Sequence, residues 1–89
     1  MIKIIRAEYR QDKTIRVHFS DGMTGDYDLS TLIARDTVMV RPLNESEFFQ
    51  NFFLELGALC WKNGFELSAG GIYEKLNSMG ELRKLDVAA

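Results

Sequence analysis

The chain is poor in the residues that mark secreted and membrane-spanning proteins. It has one cysteine, Cys60, so it cannot form an internal disulfide, and nothing in the sequence indicates an oxidising compartment. No apolar run approaches the roughly 20 residues that are needed to span a bilayer. The first residues, 1–6, are too short and too interrupted by charge to be a signal peptide. We therefore expect a cytoplasmic protein without a membrane segment.

Basic residues are not in excess either. The 11 lysines and arginines are outnumbered by 13 aspartates and glutamates, which gives a net charge of −2. Proteins that bind nucleic acids usually carry a basic excess, because neutralising phosphates and releasing their counterions supplies much of the affinity. The densest basic pair, Arg83-Lys84, is flanked by Glu81 and Asp86. The composition therefore disfavours direct nucleic-acid binding.

What the chain does contain indicates one small folded domain. Its 89 residues are 46% hydrophobic and 27% charged, a balance that is typical of a globular protein with a single modest core. We expect this domain to cover residues 1–80. Residues 81–89 form a mixed tail that either docks through Leu82, Leu85 and Val87 or is mobile. The sequence does not indicate an oligomeric state.

A first antiparallel hairpin is predicted over residues 14–28, because its first strand alternates apolar and polar side chains. A two-residue turn would oppose Val17 with Asp26 and so put a carboxylate on the apolar face. A three-residue loop that ends at Gly22 instead keeps the apolar residues together and pairs Arg16 with Asp26 on the polar face. We therefore predict the three-residue loop, with Gly22 in a left-handed conformation.

The remaining sequence predicts short strands and short helices. The segment that begins at Asn44 has the form of a capping box, in which Asn44 accepts a hydrogen bond from the amide of Glu47. Ser68 is a candidate N-cap for a helix that Gly80 ends. Further strands are expected at residues 2–9, 52–56, 58–62 and 65–67, and a short helix at 28–34 with Asp28 or Ser30 as its cap. The sum is an α+β fold, with a small, mostly antiparallel β-sheet and two or three short helices packed on it.

A second hairpin is predicted at Asn63-Gly64, because both residues tolerate the positive φ of a tight two-residue turn. In this register Trp61 faces Glu66, and Cys60 shares the opposite face with Leu67. If the Cys60 face is the core, Trp61 lies on the second face of the sheet. Trp61 and Glu66 are then candidate contacts for a protein partner. The alternative is that Trp61 packs under the C-terminal helix.

No combination of side chains predicts catalysis or metal binding. His18, the only histidine, lies on a polar strand face where the nearest acid, Asp26, is assigned to Arg16, so we expect it to be exposed and inert. Cys60 is expected to be a buried packing residue with a raised pKa. The carboxylates are scattered and lack the spacing of a calcium loop. We therefore expect no enzyme activity, no catalytic residue, no cofactor and no metal.

Several short motifs follow one another in a set order. They are Phe19–Gly22, Tyr27–Leu29, Pro42-Leu43 ahead of Phe48, and Trp61–Leu67 ahead of Ile72–Glu74. In this order, over roughly residues 3–76, the chain resembles the bacterial family known as domain of unknown function 2442. The Trp61 motif is the most specific part of the resemblance. It departs from the family pattern at Lys62 and Glu66, where proline and aspartate are usual, and at the helix entry Ser68–Gly71, where a proline is typical.

The resemblance implies an α+β fold similar to the N-terminal domain of a Nitrosomonas helix-turn-helix protein, and no established catalytic activity. It also implies that the gene lies beside another small gene, in an arrangement that looks like a toxin–antitoxin pair. The first hypothesis is therefore a non-catalytic protein-interaction module, antitoxin-like or accessory, whose partner is a small protein encoded nearby. The alternative is a small-ligand-sensing regulatory domain that acts with a DNA-binding partner and has a pocket between sheet and helices.

Overall fold

Two antiparallel β-sheets and three α-helices are formed by residues 1–84, the part of the chain that the computed structural model describes. The α+β class expected from the sequence is confirmed, but the strands divide into two sheets instead of one. In chain order the elements are β1 (Ile4–Gln11), β2 (Thr14–Phe19), β3 (Met23–Asp28), α1 (Ser30–Ile33), a 3-10 helix (Arg41–Asn44), α2 (Ser46–Gln50), β4 (Phe53–Glu55), β5 (Ala58–Cys60), β6 (Glu66–Leu67), α3 (Ala69–Ser78) and β7 (Arg83–Lys84).

The first sheet has the strand order β1-β2-β3-β7 and contains the hairpin predicted over residues 14–28. Arg16 pairs with Asp26 across the two strands, as the three-residue loop requires. The amide of Gly22 donates to the Phe19 carbonyl oxygen at 3.0 Å, and Gly22 has a φ of +88°. The predicted register is confirmed, because only this register keeps the carboxylate of Asp26 out of the core.

The end of α3 returns the chain to the first sheet. Gly80, at a φ of +68°, ends the helix, and the Glu81 amide donates back to the Leu76 carbonyl oxygen at 2.9 Å. Within residues 1–84, strand β7 then pairs with β3 at Met23 and Thr24 only. The sheet therefore extends beyond residue 80. Leu82 is half-buried against the core, as the docking alternative expected, whereas Leu85 and Val87 lie outside the described residues.

The second sheet has the order β4-β5-β6, and its strands are only two or three residues long. Leu56 and Gly57 form the two-residue turn between β4 and β5, with φ values of +51° and +83°. The two sheets meet where the Ile4 amide donates to the Gly57 carbonyl oxygen at 2.9 Å. The sequence pattern identifies strands but not the sheet to which each belongs, because that depends on contacts between distant segments.

Helix caps follow the sequence in one case and depart from it in another. The Ser68 hydroxyl accepts a hydrogen bond from the Gly71 amide at 3.0 Å and caps α3, as predicted. The prediction of a capping box at Asn44 is wrong. Asn44 is the last residue of the 3-10 helix, and its side-chain Nδ2 donates to the Arg41 carbonyl oxygen at 3.0 Å. Helix α2 therefore begins after Glu45 without a side-chain cap.

A continuous apolar core lies between the sheets and the helices. The inner face of β2 is fully buried, and helix α3 covers part of the first sheet with the side chains of Ile72 and Leu76. Helix α2 contributes Phe49, which has no exposed surface. The buried core residues are Ile4, Ile15, Val17, Phe19, Leu29, Ile33, Leu43, Phe49, Leu59, Trp61, Ala69, Ile72 and Leu76.

At Gly25 of β3, the end of α3 approaches the sheet closely. A Cβ atom at this position would lie 2.9 Å from Leu76 Cδ1 and 3.1 Å from the Glu81 carbonyl oxygen. The Glu81 carbonyl oxygen belongs to the backbone, so it cannot move aside without shifting the end of α3. Glycine is therefore required here by space, and not by a left-handed backbone.

We expect Gly25→Ala to lower the free energy of unfolding by about 1–3 kcal/mol, the usual cost of overpacking a core. Gly70→Ala is the matched control, because a Cβ at Gly70 meets only one atom, 4.0 Å away. Since alanine favours helix, Gly70→Ala should stabilise by about 0.5–1 kcal/mol. Urea unfolding followed by circular dichroism measures both, and equal midpoints for the two variants would contradict the close approach.

Candidate functional site

The second hairpin has a different register from the one predicted. The Gly64 amide donates to the Trp61 carbonyl oxygen at 3.0 Å, and the Trp61 amide donates to the Phe65 carbonyl oxygen at 2.9 Å. The loop therefore has three residues, not two, and Cys60 lies opposite Glu66. Trp61 consequently shares a face with Phe65 and not with Glu66.

Trp61 is a core residue, with 1% of its surface exposed. Its indole Nε1 donates to the Phe49 carbonyl oxygen at 2.9 Å, and its ring centroid lies 5.7 Å from that of Phe65 and 6.4 Å from that of Phe52. The surface contact predicted for Trp61 is therefore corrected, because the indole is enclosed by the chain itself. It packs against α2 and the adjoining residues rather than under α3. Glu66 is exposed on the opposite face of this sheet.

Cys60 is buried, as expected. Burial raises the pKa of its thiol, and the nearby carboxylates of Glu66 and Glu55 raise it further. Its Sγ lies 3.7 Å from the Ala58 carbonyl oxygen, to which it donates. A thiol held in its neutral form is a poor nucleophile, so the arrangement favours packing over chemistry.

The polar face of the first sheet gathers most of the arginines of the chain. Four of the six arginines of the sequence lie there, together with three carboxylates, and none of the five lysines lies on this face. We call this surface the arginine face and define it by Arg6, Glu8, Arg10, Arg16, His18, Thr24, Asp26, Asp28 and Arg83. Arg6, Arg10 and Arg83 are exposed.

Two carboxylates occupy the middle of the arginine face. Arg16 donates to Asp26 through Nε at 2.7 Å and through Nη2 at 3.1 Å, a bidentate pair. These hydrogen bonds lower the pKa of the Asp26 carboxyl and raise that of the Arg16 guanidinium. Glu8 Oε1 lies 2.9 Å from His18 Nε2, and the Glu8 carboxylate is 3.6 Å from Arg6. The His18 hydrogen bond is the largest cause that lowers the Glu8 pKa.

The expectation that His18 is exposed is wrong, because only 14% of its side chain is exposed. The alternation of β2 indicated only Asp26, on the neighbouring strand β3, as an acid near His18. The acid that actually reaches His18 is Glu8, on β1, the strand on the other side of β2. The pairing of β1 with β2 brings them together, and the alternation of β2 alone could not show it.

The arginine face has the opposite charge sign to the rest of the chain. Its four arginines and three carboxylates give +1 with His18 neutral, whereas the whole sequence carries −2. The remaining residues therefore sum to −3. The face is a local basic surface on an acidic protein, and composition alone conceals it.

A groove of about 620 Å³ lies between β3, α1 and α3. Its volume falls within the range of about 300–1,000 Å³ that is usual for small-molecule sites. Apolar side chains and side chains of both charges line it. They include Tyr27, Leu32, Leu76 and Met79, and the charged Asp26, Asp28, Arg35, Lys75 and Glu81.

The described part of the chain contains neither a metal-binding group nor a helix suited to crossing a membrane. Within residues 1–84 no group of three or more histidine, cysteine, aspartate or glutamate side chains is placed to hold a metal ion. Over the same range, no helix has the length and apolarity required to cross a membrane.

Because Trp61 is the only tryptophan, its fluorescence reports on the second hairpin alone. We expect emission at short wavelength and protection from iodide quenching in the native protein, and both should disappear in denaturant. Free tryptophan amide serves as the exposed reference. Quenching of the native protein as efficient as that of the reference would contradict the three-residue loop.

The Arg16–Asp26 pair predicts a specific pH dependence. The folded-state pKa of Asp26 is lowered from its ordinary value of 3.8. The pair therefore stabilises the fold fully above pH 3.8, and this stabilisation is lost as the pH falls through the lower pKa of the folded state. We expect Asp26→Asn to be destabilising near neutral pH, and the difference from the wild type to shrink between about pH 5 and about pH 2. Glu45→Gln removes an exposed carboxylate outside the ion pairs and is the control. Parallel stability curves for wild type and Asp26→Asn would contradict the role of the pair.

The comparison with known proteins identifies a family. The family described as "Protein of unknown function (DUF2442)" matches residues 4–78, from β1 to the last residue of α3. No curated protein matches the chain, and neither does any solved structure. The match spans most of the chain and contains both hairpins and almost all of the arginine face. The chain therefore belongs to this family of proteins of unknown function.

Proposed function

We propose that this protein is a non-catalytic interaction module whose partner is a small protein encoded nearby, so that the two form an antitoxin-like or accessory pair. The observation that carries this proposal is the arginine face. Arginine is enriched at protein interfaces, and its planar fork binds carboxylates in a fixed geometry. Exposed arginines on one sheet face, on a chain of opposite net charge, provide a surface that is complementary to an acidic partner.

The carboxylates within the arginine face favour a protein partner over a nucleic acid. Glu8 and Asp26 lie among the arginines, where they would repel a continuous phosphate backbone. A protein surface can match such a pattern by placing acids opposite Arg6 and Arg83 and a donor opposite each carboxylate. The net charge of −2 points the same way.

The internal ion pairs prepare this surface for binding. Arg16 is held by two hydrogen bonds to Asp26, so it loses little side-chain entropy when a partner binds. Arg6 is 70% exposed in its side chain and is available to form the first contacts. Attraction between such exposed charges is expected to speed association and to weaken as salt is added.

The proposal that the module is not an enzyme rests on how its reactive side chains are held. His18 is bound to Glu8 beneath the arginines, and the Cys60 thiol is buried with a raised pKa. Within residues 1–84, His18 is hydrogen-bonded to a carboxylate and Cys60 to a main-chain carbonyl oxygen. Neither therefore belongs to a nucleophile–base pair. A single free cysteine also fits the reducing cytoplasm of a bacterium.

A second candidate function is that of a small-ligand-sensing regulatory domain that acts with a DNA-binding partner. The groove between β3, α1 and α3 favours it, because such a domain needs a pocket between its sheet and its helices. In that case a ligand would raise the melting temperature of the isolated protein, since selective binding to the native state stabilises it.

Co-expression with the protein encoded by the adjacent gene tests the proposed function. We expect the two to co-elute in size-exclusion chromatography, with an affinity that falls steeply between about 0.05 and about 0.5 M salt. The double variant Arg6→Glu/Arg83→Glu should weaken the complex by at least about tenfold, because it reverses two charges of the face.

The control carries the same change of charge elsewhere. Lys3→Glu/Lys62→Glu alters two exposed lysines outside both the arginine face and the groove and should leave the affinity within about twofold of the wild type. Separate elution of the two wild-type proteins at micromolar concentration would refute the pair. Retention of the protein by duplex DNA, lost in the arginine variant, would instead identify a nucleic-acid surface.

A further inference from the structure

The groove between β3, α1 and α3 has an apolar floor that continues from the core. Leu76 is 1% exposed and forms part of it, with the half-buried Leu32 and Tyr27 beside it. Met79, at the end of α3, borders the groove and is 57% exposed. An apolar ligand on this floor would remove apolar surface of Met79 from water, which favours binding.

The two cations of the groove have no anionic partner among residues 1–84. Arg35 follows α1 and Lys75 lies within α3, and neither forms a salt bridge in the described part of the chain. They therefore stand on different segments that border the same floor. Both can donate hydrogen bonds to an anionic group of a ligand without giving up an ion pair of the protein.

Two of the three carboxylates of the groove are already engaged. Asp26 is bound by Arg16 at 2.7 Å, and Asp28 accepts a hydrogen bond from the Ser30 amide at 2.8 Å. Both engagements lower the pKa of the carboxyl concerned. Glu81 is the third, so the charges that remain available are two positive and one negative.

Tyr27 adds a polar group close to one of the cations. Burial raises the pKa of its hydroxyl, and the charge of Arg35 acts in the opposite direction. The hydroxyl is therefore neutral at physiological pH and can donate a hydrogen bond. Together with Arg35 it gives the groove two donors from different elements, β3 and the segment after α1.

We propose that this groove binds a small amphipathic organic anion, with an aliphatic or aromatic body on the Leu32–Leu76–Met79 floor and a carboxylate-like head that accepts from Arg35 and Lys75. The groove shares Asp26 and Asp28 with the arginine face but none of its arginines. The proposal names a ligand class for the second candidate function, on whose groove it rests, and it does not depend on the protein-binding role. A carboxylate of a metabolite and that of a lipid breakdown product share this chemistry.

The dye 8-anilinonaphthalene-1-sulfonate is a suitable probe, because it combines an aromatic body with a single anionic head and fluoresces when it enters an apolar site. We expect saturable binding to the native protein with one site per chain. Octanoate should displace the dye, whereas octanol and octylammonium, which have the same chain without the anionic head, should displace it at least about tenfold less effectively.

Variants then locate the site. Arg35→Gln and Lys75→Gln should each weaken dye and octanoate binding by about tenfold, the cost of one charge-assisted hydrogen bond. Thr31→Trp, which places a large side chain at the lining of the groove, should block binding without a change of charge. Lys62→Gln is the matched control and should bind as the wild type does. Circular dichroism confirms that each variant is folded.

Three outcomes would overturn the proposal. Absence of dye binding by the folded wild type at millimolar concentration refutes the site. Binding that survives the double variant Arg35→Gln/Lys75→Gln, or that octanol displaces as well as octanoate does, shows an apolar surface without anion recognition. The co-elution experiment measures binding of the neighbouring protein and not binding of the dye. Failure of the groove proposal is therefore distinguishable from failure of the proposed protein pair.

Discussion

The register of β2 against β3 is the constraint on which the rest of the structure depends. Along β2 the side chains alternate between two environments, and Ile15, Val17 and Phe19 are at most 1% exposed. Arg16 and His18 between them form the centre of the arginine face. A slip of one residue would exchange the two sets and bury charge. The three-residue loop that ends at Gly22 therefore sets the core and the charged surface at once.

A second link joins the small sheet to the helices. Trp61 packs among aromatic rings, and its indole donates to a main-chain carbonyl of Phe49, which lies in α2. Strands of two or three residues have few ladder hydrogen bonds, so they depend on side-chain packing for their position. The largest side chain of the domain thus holds the short strands of the second sheet. Because Trp61 has this structural role, the proposed functions rest on the arginine face and the groove.

The sequence predicted features that depend on near neighbours. The Arg16–Asp26 pair, the Ser68 cap and the helix end at Gly80 all involve residues within about ten positions of each other, where strand alternation and turn chemistry apply. The Trp61 hairpin was mispredicted, although the same test of parity applied there. A three-residue loop would have kept Trp61 away from Glu66 and placed it with the apolar Phe65.

Features that depend on distant segments could not be predicted from the sequence. Arg83 joins the arginine face because β7 pairs with β3, about sixty residues earlier in the chain. Glu8 reaches His18 because β1 adds to the other side of β2. The groove likewise needs β3, α1 and α3 together. Local propensity carries no information on contacts between distant segments. The basic surface of this acidic chain is therefore visible only in the three-dimensional structure.

The short pairing of β7 with β3 has a consequence for the behaviour of many copies of the chain in one cell. Within residues 1–84, β7 covers β3 only at Met23 and Thr24, so the rest of this edge has no strand beside it. An uncovered edge is a template on which strands of other molecules can add, and aggregation begins in this way. The uncovered part carries Asp26 and Asp28, and an incoming strand would have to approach both carboxylates. Asp26, which neutralises Arg16, thereby also protects the edge against self-association.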